Sequence, residues 1–260
     1  MTTFQEQAEI LRRERLAYDL YRLTIQAPDI AGAARPGQFV MIRAGQGYDP
    51  LLRRPFSIHQ VAAGSSLQIL FKVVGKGTKM LAAMERGQSL DLVGPLGQGF
   101  TPRPQQPVCL AGGGVGIAPL LFWAKELLRN IAPQEIVVLL GARTREEIEP
   151  MAQDFIRLGL PVRIATDDGS LGHHGLVTDL LQELPNASWA VYACGPHPMM
   201  RTAVQLCTSR GWDCQVSLET MMACGVAACL GCAVPNADGS GYVHVCKDGP
   251  VFAADEVAWG

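Results

Sequence analysis

Residues 101–107, "TPRPQQP", separate two rhythms of hydrophobicity, and this change of rhythm constrains the fold more than any single motif. Before it, short alternating runs follow one another. In "YRLTIQAP", Tyr21, Leu23 and Ile25 alternate with Arg22, Thr24 and Gln26, the pattern of a strand with one buried face. "GQFVMIRA", "RPFSIHQV", "SLQILFKVVG" and "QSLDLVGPLG" come next, each bounded by Gly, Pro or Ser, and one short helix, "TKMLAAMER", interrupts them. Strands at this spacing predict an antiparallel barrel or sandwich. After the Pro-rich stretch, strands such as "VCLAG", "EIVVLLGA", "VRIATD" and "AVYACG" each precede a helical pattern. That βαβα rhythm predicts a parallel sheet covered by helices on both faces. A last strand, "CQVSLE", runs into a cysteine-rich segment. The expected fold is therefore a β-barrel plus α/β: an antiparallel barrel over residues 1–103, a parallel-sheet nucleotide-binding domain over 104–214 and a small module over 215–260.

Composition removes several classes of function. Hydrophobic residues make up 48% and charged residues 18% of 260, the balance of a folded chain with a sizeable core. A net charge of −2 offers no basic field for nucleic acid or an anionic membrane. The N-terminal residues lack the apolar core of a signal peptide, and no run approaches the ~18 apolar residues of a membrane span. Cytoplasmic residence is the expectation, and in a reducing compartment clustered thiols are more often metal ligands than disulfides.

Four of the eight cysteines fall within "CGVAACLGCAVPNADGSGYVHVC": Cys224, Cys229, Cys232 and Cys246, spaced C-x4-C-x2-C-x13-C. Two short gaps followed by a distant fourth cysteine match the plant-type [2Fe–2S] ligand pattern. A structural zinc site is the competing reading, although zinc more often uses two C-x2-C knuckles and only Cys229 and Cys232 form one. Gly225 and Gly231 relieve crowding in the loop. The remaining thiols, Cys109, Cys194, Cys207 and Cys214, lie in strand or helix patterns and read as ordinary buried groups, Cys194 possessing a second candidate role.

Other motifs point to nucleotides. "AGGGVGIAP" joins a strand to a helix, and Gly112, Gly113, Gly114 and Gly116 remove side chains where a pyrophosphate would approach the amides of the helix start. It is not the G-x-G-x-x-G fingerprint, and the plain alternative is a tight turn. "YACGPHPMM" sits at a strand's C-terminal end, where open parallel sheets place ligands, so Cys194 is a candidate to face a cofactor ring. In the barrel half, Arg54 and Ser57 of "LLRRPFSI" suit a phosphate and a polar ring edge, against the plain reading of a solvated strand end. Gly75, Gly77 and Thr78 of "GKGT" precede the short helix, with Thr78 as its expected N-cap. The histidines at 59, 173, 174, 197 and 244 have no carboxylate at catalytic spacing and receive no role.

Taken in order, "LLRRPFSI", "GKGT", "LVGPLGQGF", "GGGVGIAPL", "CGP", the cysteine run and the closing "DGPVF" resemble the ferredoxin–NADP reductase superfamily over nearly the full length. Within it, the chain is similar to the family of electron-transfer subunits of two-subunit, NAD-dependent dihydroorotate dehydrogenases. The resemblance implies FAD across the barrel, with Arg54, Pro55, Phe56 and Ser57 along its phosphates and flavin edge. It implies Leu70, Phe71 and Lys72 at the flavin, and Gly77 and Thr78 at the pyrophosphate. The glycine loop would receive NAD, its ring turned toward the flavin beside Cys194, and Cys224, Cys229, Cys232 and Cys246 would hold a [2Fe–2S] cluster. It further implies a catalytic partner carrying FMN, two copies of each subunit in a heterotetramer, electrons passing from dihydroorotate through cluster and FAD to NAD⁺, and a place in de novo pyrimidine biosynthesis. No residue of this chain takes a catalytic role.

Two departures stand out. Phe56 occupies a position where the superfamily often has Tyr, so it packs without donating a hydroxyl bond. The fourth cysteine follows after only 13 residues, which implies a compact module and not a ferredoxin domain. Flavin subunits of a hydrogenase or of a ferredoxin-linked NADPH oxidoreductase share this motif order and form the alternative; a non-enzymatic redox sensor is a third reading. Arg143 or Arg145 of "GARTREE" would suit a 2′-phosphate, but the resemblance favours NAD.

Overall fold

Six strands close into a barrel in the order β1–β2–β5–β4–β3–β6, every neighbour antiparallel, in a computed structural model that describes residues 2–45, 47–62, 65–103 and 105–260. They are β1 (Phe4–Arg15), β2 (Leu20–Gln26), β3 (Phe39–Arg43), β4 (Arg54–Ala62), β5 (Ser66–Lys72) and β6 (Ser89–Leu96). Met1 and Pro104, the first residues of the expected barrel and α/β domains, lie outside the described residues. Bulges in β1, β3 and β4 sharpen the local bend that closure needs. Inside, Ile10, Leu23, Ile25, Val40, Ile42 and Ile69 are buried. The sequence reading did not anticipate β1. Only Ala8 and Ile10 are fully buried along its 12 residues, so it carries little of the alternation that reveals a strand. Its Glu6 carboxylate accepts the Asp29 and Ile30 amides at 3.1 Å each, which satisfies the start of α1 (Pro28–Ala33).

The second sheet is built on β7 (Val108–Gly113), β8 (Ile136–Ala142), β9 (Val162–Thr166), β10 (His173–His174), β11 (Ala190–Cys194) and β12 (Asp213–Ser217). Its order is β10–β9–β8–β7–β11–β12, all parallel, and the topology therefore reverses between β7 and β11. Along β7, Val108 and Leu110 pack with α3 (Ala118–Leu127) and α4 (Arg145–Ile156), whereas Cys109 and Ala111 pack with α5 (Val177–Gln182) and α6 (His197–Arg210). Both faces are covered, and that explains the continuous apolar runs of the strands.

The Pro-rich stretch is no loose tether. Thr101 accepts hydrogen bonds from the Tyr192 hydroxyl (3.0 Å) and the Gln215 amide (2.7 Å), and its own N–H reaches Gln215 at 3.0 Å. The Arg103 N–H donates to the same Tyr192 oxygen at 3.1 Å. Phe100, Trp123 and Tyr192 pack ring on ring with centroids 5.2–5.7 Å apart. The apolar core runs on across the join: Leu20 and Leu70 of the barrel belong to the α3/α4 side, and Phe39, Met41 and Leu96 to the α5/α6 side.

The cysteine segment leaves β12 and forms a small ribbon of β13 (Ala233–Pro235) and β14 (Tyr242–His244). It returns as β15 (Val251–Ala253), which pairs antiparallel with β12 as a seventh strand. These three-residue strands are too short to leave a sequence signal. Replacing Tyr192 with Phe removes the hydroxyl that ties Thr101 and Arg103 at the start of the stretch, a loss of about 1–2 kcal/mol. Thermal unfolding should show a Tm lower by a few degrees with unchanged near-ultraviolet signals of the remaining aromatics.

Candidate functional site

A cleft of about 680 Å³ opens where the barrel meets the C-terminal ends of β7, β11 and β12. Parallel sheets place ligands at such a reversal of strand order, because two loops there diverge and leave a crevice. From the barrel, Arg54, Pro55, Phe56 and Ser57 on β4 and Leu70, Phe71 and Lys72 on β5 line it. Thr78 lines it from α2 (Lys76–Ala83), and Gly116 and Cys194 from the α/β side.

The other glycines stand behind this wall. A side chain on Gly77 would sit 3.0 Å from the Arg54 Nε, so Gly77 lets the guanidinium lie flat on the helix start. Side chains on Gly112 and Gly113 would strike Ile117 and Met199; these two glycines close the extended strand β7 where the packing leaves no room for a Cβ. Gly114 adopts φ +56 and faces open space. Gly116 is different: its backbone lies so close to Gly195 that an added Cβ would be 2.6 Å from the Gly195 nitrogen. The loops after β7 and β11 therefore touch at the cleft floor.

Thr78 is not the N-cap. Helix α2 begins after an extended Gly75, and Thr78 occupies its third position. From there its hydroxyl accepts the Val74 and Gly75 amides at 2.9 and 3.0 Å. Phe56 packs edge-on against Phe71 at 5.6 Å, and Tyr21 stacks on Phe71 at 5.9 Å, so the position without a hydroxyl is filled by ring packing. Lys72 crosses the join to Glu147 on α4 at 2.9 Å. Arg143 binds the same carboxylate at 2.6 Å and is thus already paired. Burial pushes the Glu147 carboxyl up, but hydrogen bonds from Lys72 and Arg143 outweigh it and hold the group below its ordinary range.

Cys194 is buried beside Ser217, and burial pushes its thiol up to about 12 although Ser217 pulls the other way. Ser217, Leu218, Glu219, Thr220, Met221 and Met222 form a wall that the motifs did not reveal. The signal available was position alone: "SLETMM" follows the last parallel strand at its C-terminal edge. Carboxylates face three of the histidines for which the sequence shows none: His59 Nε2 lies 3.7 Å from Asp154 of α4, His173 Nε2 3.4 Å from Asp179 and His244 Nδ1 3.6 Å from Asp248. For His59, the fold alone makes the approach, since Asp154 is distant in sequence.

The cysteine loop abuts the cleft through Ala223 and Gly231. Gly225, Ala227 and Leu230 take left-handed backbone conformations (φ +73, +59 and +59), an uncommon state for the two non-glycine residues. The effect is to turn amides toward sulfur. Cys224 Sγ accepts the amides of Val226, Ala228 and Cys229 at 3.3–3.4 Å. Cys246 Sγ accepts Ala227 at 3.2 Å, Cys229 accepts Gly231 at 3.5 Å and Cys232 accepts the Cys246 amide at 3.5 Å. Burial opposes ionisation of Cys224, yet the amides of Val226, Cys229 and Ala228 and the Cys229 thiol bring it down to about 7. Cys246, buried and next to Cys232, is pushed up to about 12. The Cys229 amide thus reaches Cys224 Sγ, and the Cys246 amide reaches Cys232 Sγ. Among the described residues, no three His, Cys, Asp or Glu side chains surround a single ion position. Four thiols with amides converging on their sulfurs fit a group held by four thiolates, as a [2Fe–2S] cluster is.

A family model described as the iron–sulfur cluster binding domain of dihydroorotate dehydrogenase B matches residues 219–258, and a model of the oxidoreductase NAD-binding domain matches residues 110–205. The dihydroorotate dehydrogenase B (NAD⁺) electron transfer subunit of Desulforamulus reducens is 43% identical over 261 residues, covering 97% of each chain. The chain belongs to this electron-transfer-subunit family. The member from Caldanaerobacter subterraneus is 40% identical over 96% of this chain and 97% of its own, and that from Fusobacterium nucleatum 35% over 97% and 98%. A solved NADH-dependent reduced ferredoxin–NADP oxidoreductase, studied for flavin-based electron bifurcation, superposes with a TM-score of 0.87 at 32% identity. It covers 98% of this chain and 90% of that one. In the family's terms, the barrel, sheet and cysteine segment are those of a flavin- and NAD-linked oxidoreductase with an iron–sulfur module.

The Cys194 thiol stays protonated well above neutrality, because burial disfavours the thiolate. Iodoacetamide at pH 8 followed by peptide mapping should leave Cys194 unmodified in the folded chain and modify it after denaturation.

Proposed function

We propose that this chain is the electron-transfer subunit of an NAD-dependent dihydroorotate dehydrogenase, taking electrons from a catalytic subunit that carries FMN and delivering them to NAD⁺ in pyrimidine biosynthesis. The observation that carries the reading is the shared wall: Ala223 and Gly231 belong both to the cysteine loop and to the barrel–sheet cleft. Flavin exchanges a hydride with nicotinamide and single electrons with an iron–sulfur cluster, so the cleft and the loop supply what two-electron and one-electron carriers each need.

Three parts divide the work: residues 1–103 for FAD, 104–214 for NAD and 215–260 for the [2Fe–2S] cluster. Arg54 and the amides at the start of α2 meet the FAD phosphates, with Gly77 and Thr78 shaping that helix start. Pro55, Phe56, Ser57, Leu70, Phe71 and Lys72 wall the flavin, the apolar side chains toward its ring faces and Ser57 toward its polar edge. Gly116 keeps the cleft floor open for nicotinamide beside Cys194, and Gly112, Gly113 and Gly114 hold the turn that makes room for its nucleotide. Cys224, Cys229, Cys232 and Cys246 hold the cluster, their sulfurs already surrounded by the amide donors that stabilise thiolate charge. The catalytic subunit docks in two copies with two of this chain, in the cytoplasm. None of the described helices is long and apolar enough to cross a membrane.

The 32%-identical ferredoxin–NADP oxidoreductase supports the alternative partner, a ferredoxin-linked complex. Anaerobic co-purification distinguishes the two: a partner that reduces NAD⁺ from dihydroorotate is expected, and flavin and iron–sulfur absorption with no response to dihydroorotate would favour the alternative. Serine at any one of Cys224, Cys229, Cys232 or Cys246 should abolish or strongly diminish the iron–sulfur absorption while the flavin bands persist. Alanine at Cys109 should change neither.

A further inference from the structure

His59 is 1% exposed, sits on the same strand as Ser57 and bonds to the nucleotide side of the molecule. Its Nδ1 lies 2.8 Å from the carbonyl oxygen of Ala118. A carbonyl only accepts, so Nδ1 carries the hydrogen. Ala118 opens α3 two residues after Gly116, and both line the cleft. The opposite ring nitrogen is buried without a hydrogen-bond partner and faces Asp154 at 3.7 Å. The same Asp154 oxygen takes Arg22 of β2 at 2.6 Å, while Arg157 approaches the other oxygen at 3.6 Å. Arg22 is in turn 3.3 Å from Glu14 of β1. Burial raises the Asp154 carboxyl, and His59 and Arg22 more than offset it, so the group stays ionised at the join.

Neighbouring contacts share this geometry. Next to His59, Gln60 accepts the Lys125 ammonium of α3. On α4, Glu147 and Asp154 stand two turns apart on one face and engage Lys72 of β5 and Arg22 of β2. Those strands are adjacent, with Leu20 opposite Lys72 and Arg22 opposite Leu70. Apolar packing would hold the two halves together at many small offsets. The directional bond from His59 to Ala118 selects one, and it does so between a flavin-wall strand and the helix that follows the glycine loop.

We propose that His59 is a positioning residue for hydride transfer between nicotinamide and flavin: by holding the Ala118 carbonyl and facing the Asp154 carboxylate, it fixes how far the nucleotide loop stands from the flavin strand. This role rests on the function proposed above. The reaction needs near-contact of the reacting atoms, and a misplacement of about 1 Å can cost roughly 100-fold in rate.

The test is anaerobic stopped-flow mixing of the FAD- and cluster-loaded chain with NADH, comparing wild type, His59→Leu, His59→Asn and Asp154→Leu. Expected for His59→Leu and Asp154→Leu are wild-type flavin and iron content, an NADH dissociation constant within about threefold, and flavin reduction slower by roughly 10–100-fold. The long-wavelength charge-transfer absorbance of stacked nicotinamide and flavin should weaken in parallel. His59→Asn, which keeps a donor for Ala118, should recover most of both. Unchanged rates and absorbance in both Leu variants beside an active wild type would overturn the role of His59, as would a rate loss that only tracks lost flavin. If His59→Leu does not fold, Asp154→Leu and His59→Asn decide. A wild-type flavin that NADH does not reduce would instead overturn the proposed function, and the role of His59 with it.

Discussion

The cleft belongs to neither half of the molecule. One wall is the outside of a closed barrel, the other is the C-terminal edge of a parallel sheet, and every property of the site depends on how the two are joined. The join has an apolar and a polar component. Phe100 stacks on Trp123 and both meet Tyr192 edge-on, and the bonds from Tyr192 and Gln215 hold Thr101, so the stretch between the halves is fixed at its start. Ion pairs from α4 to Lys72 and Arg22 add charged contacts across it. Burying charge at such a join costs desolvation, which paired geometry offsets; its benefit is register more than stability.

The cysteine loop follows a different logic. Thiolates are stabilised by short-range donors, and here backbone amides are those donors. Left-handed conformations at Ala227 and Leu230 cost of order 1 kcal/mol each. In return, the chain directs amides at the sulfurs of Cys224, Cys229 and Cys246. Gly225 allows the loop to lie directly on Met41 of the barrel, where a side chain would collide. The loop is thereby placed against the cleft by packing with the barrel, and the return strand β15 ties its far end to the parallel sheet.

Much of this arrangement is legible in the sequence, for identifiable reasons. Strands β2 through β9 announce themselves because their alternation, or their continuous apolar run, matches how each is buried. β1 does not, since its outward residues are charged and only Ala8 and Ile10 turn fully inward. Cysteine spacing is legible because ligands must be close in the chain to wrap one loop. Glycine roles are only half legible: the run from Gly112 to Gly116 marks a sharp turn, but which glycine faces the cleft depends on the neighbouring loop at Gly195. The Ser217–Met222 wall and the His59–Asp154 approach carry no local pattern at all. They arise from the meeting of distant elements, which hydrophobic periodicity does not encode. Thr78 illustrates a narrower limit, since the residue that looks like a cap lies three positions inside a helix started by glycine.

The central claim is that flavin stands between nicotinamide and cluster on this one chain. Anaerobic titration of the isolated, cofactor-loaded protein with NADH, followed by flavin absorbance and freeze-quenched electron paramagnetic resonance, tests it most directly. A reduced-cluster signal that appears with NADH only when flavin is bound is the predicted result. A signal equally strong in flavin-depleted protein would contradict it.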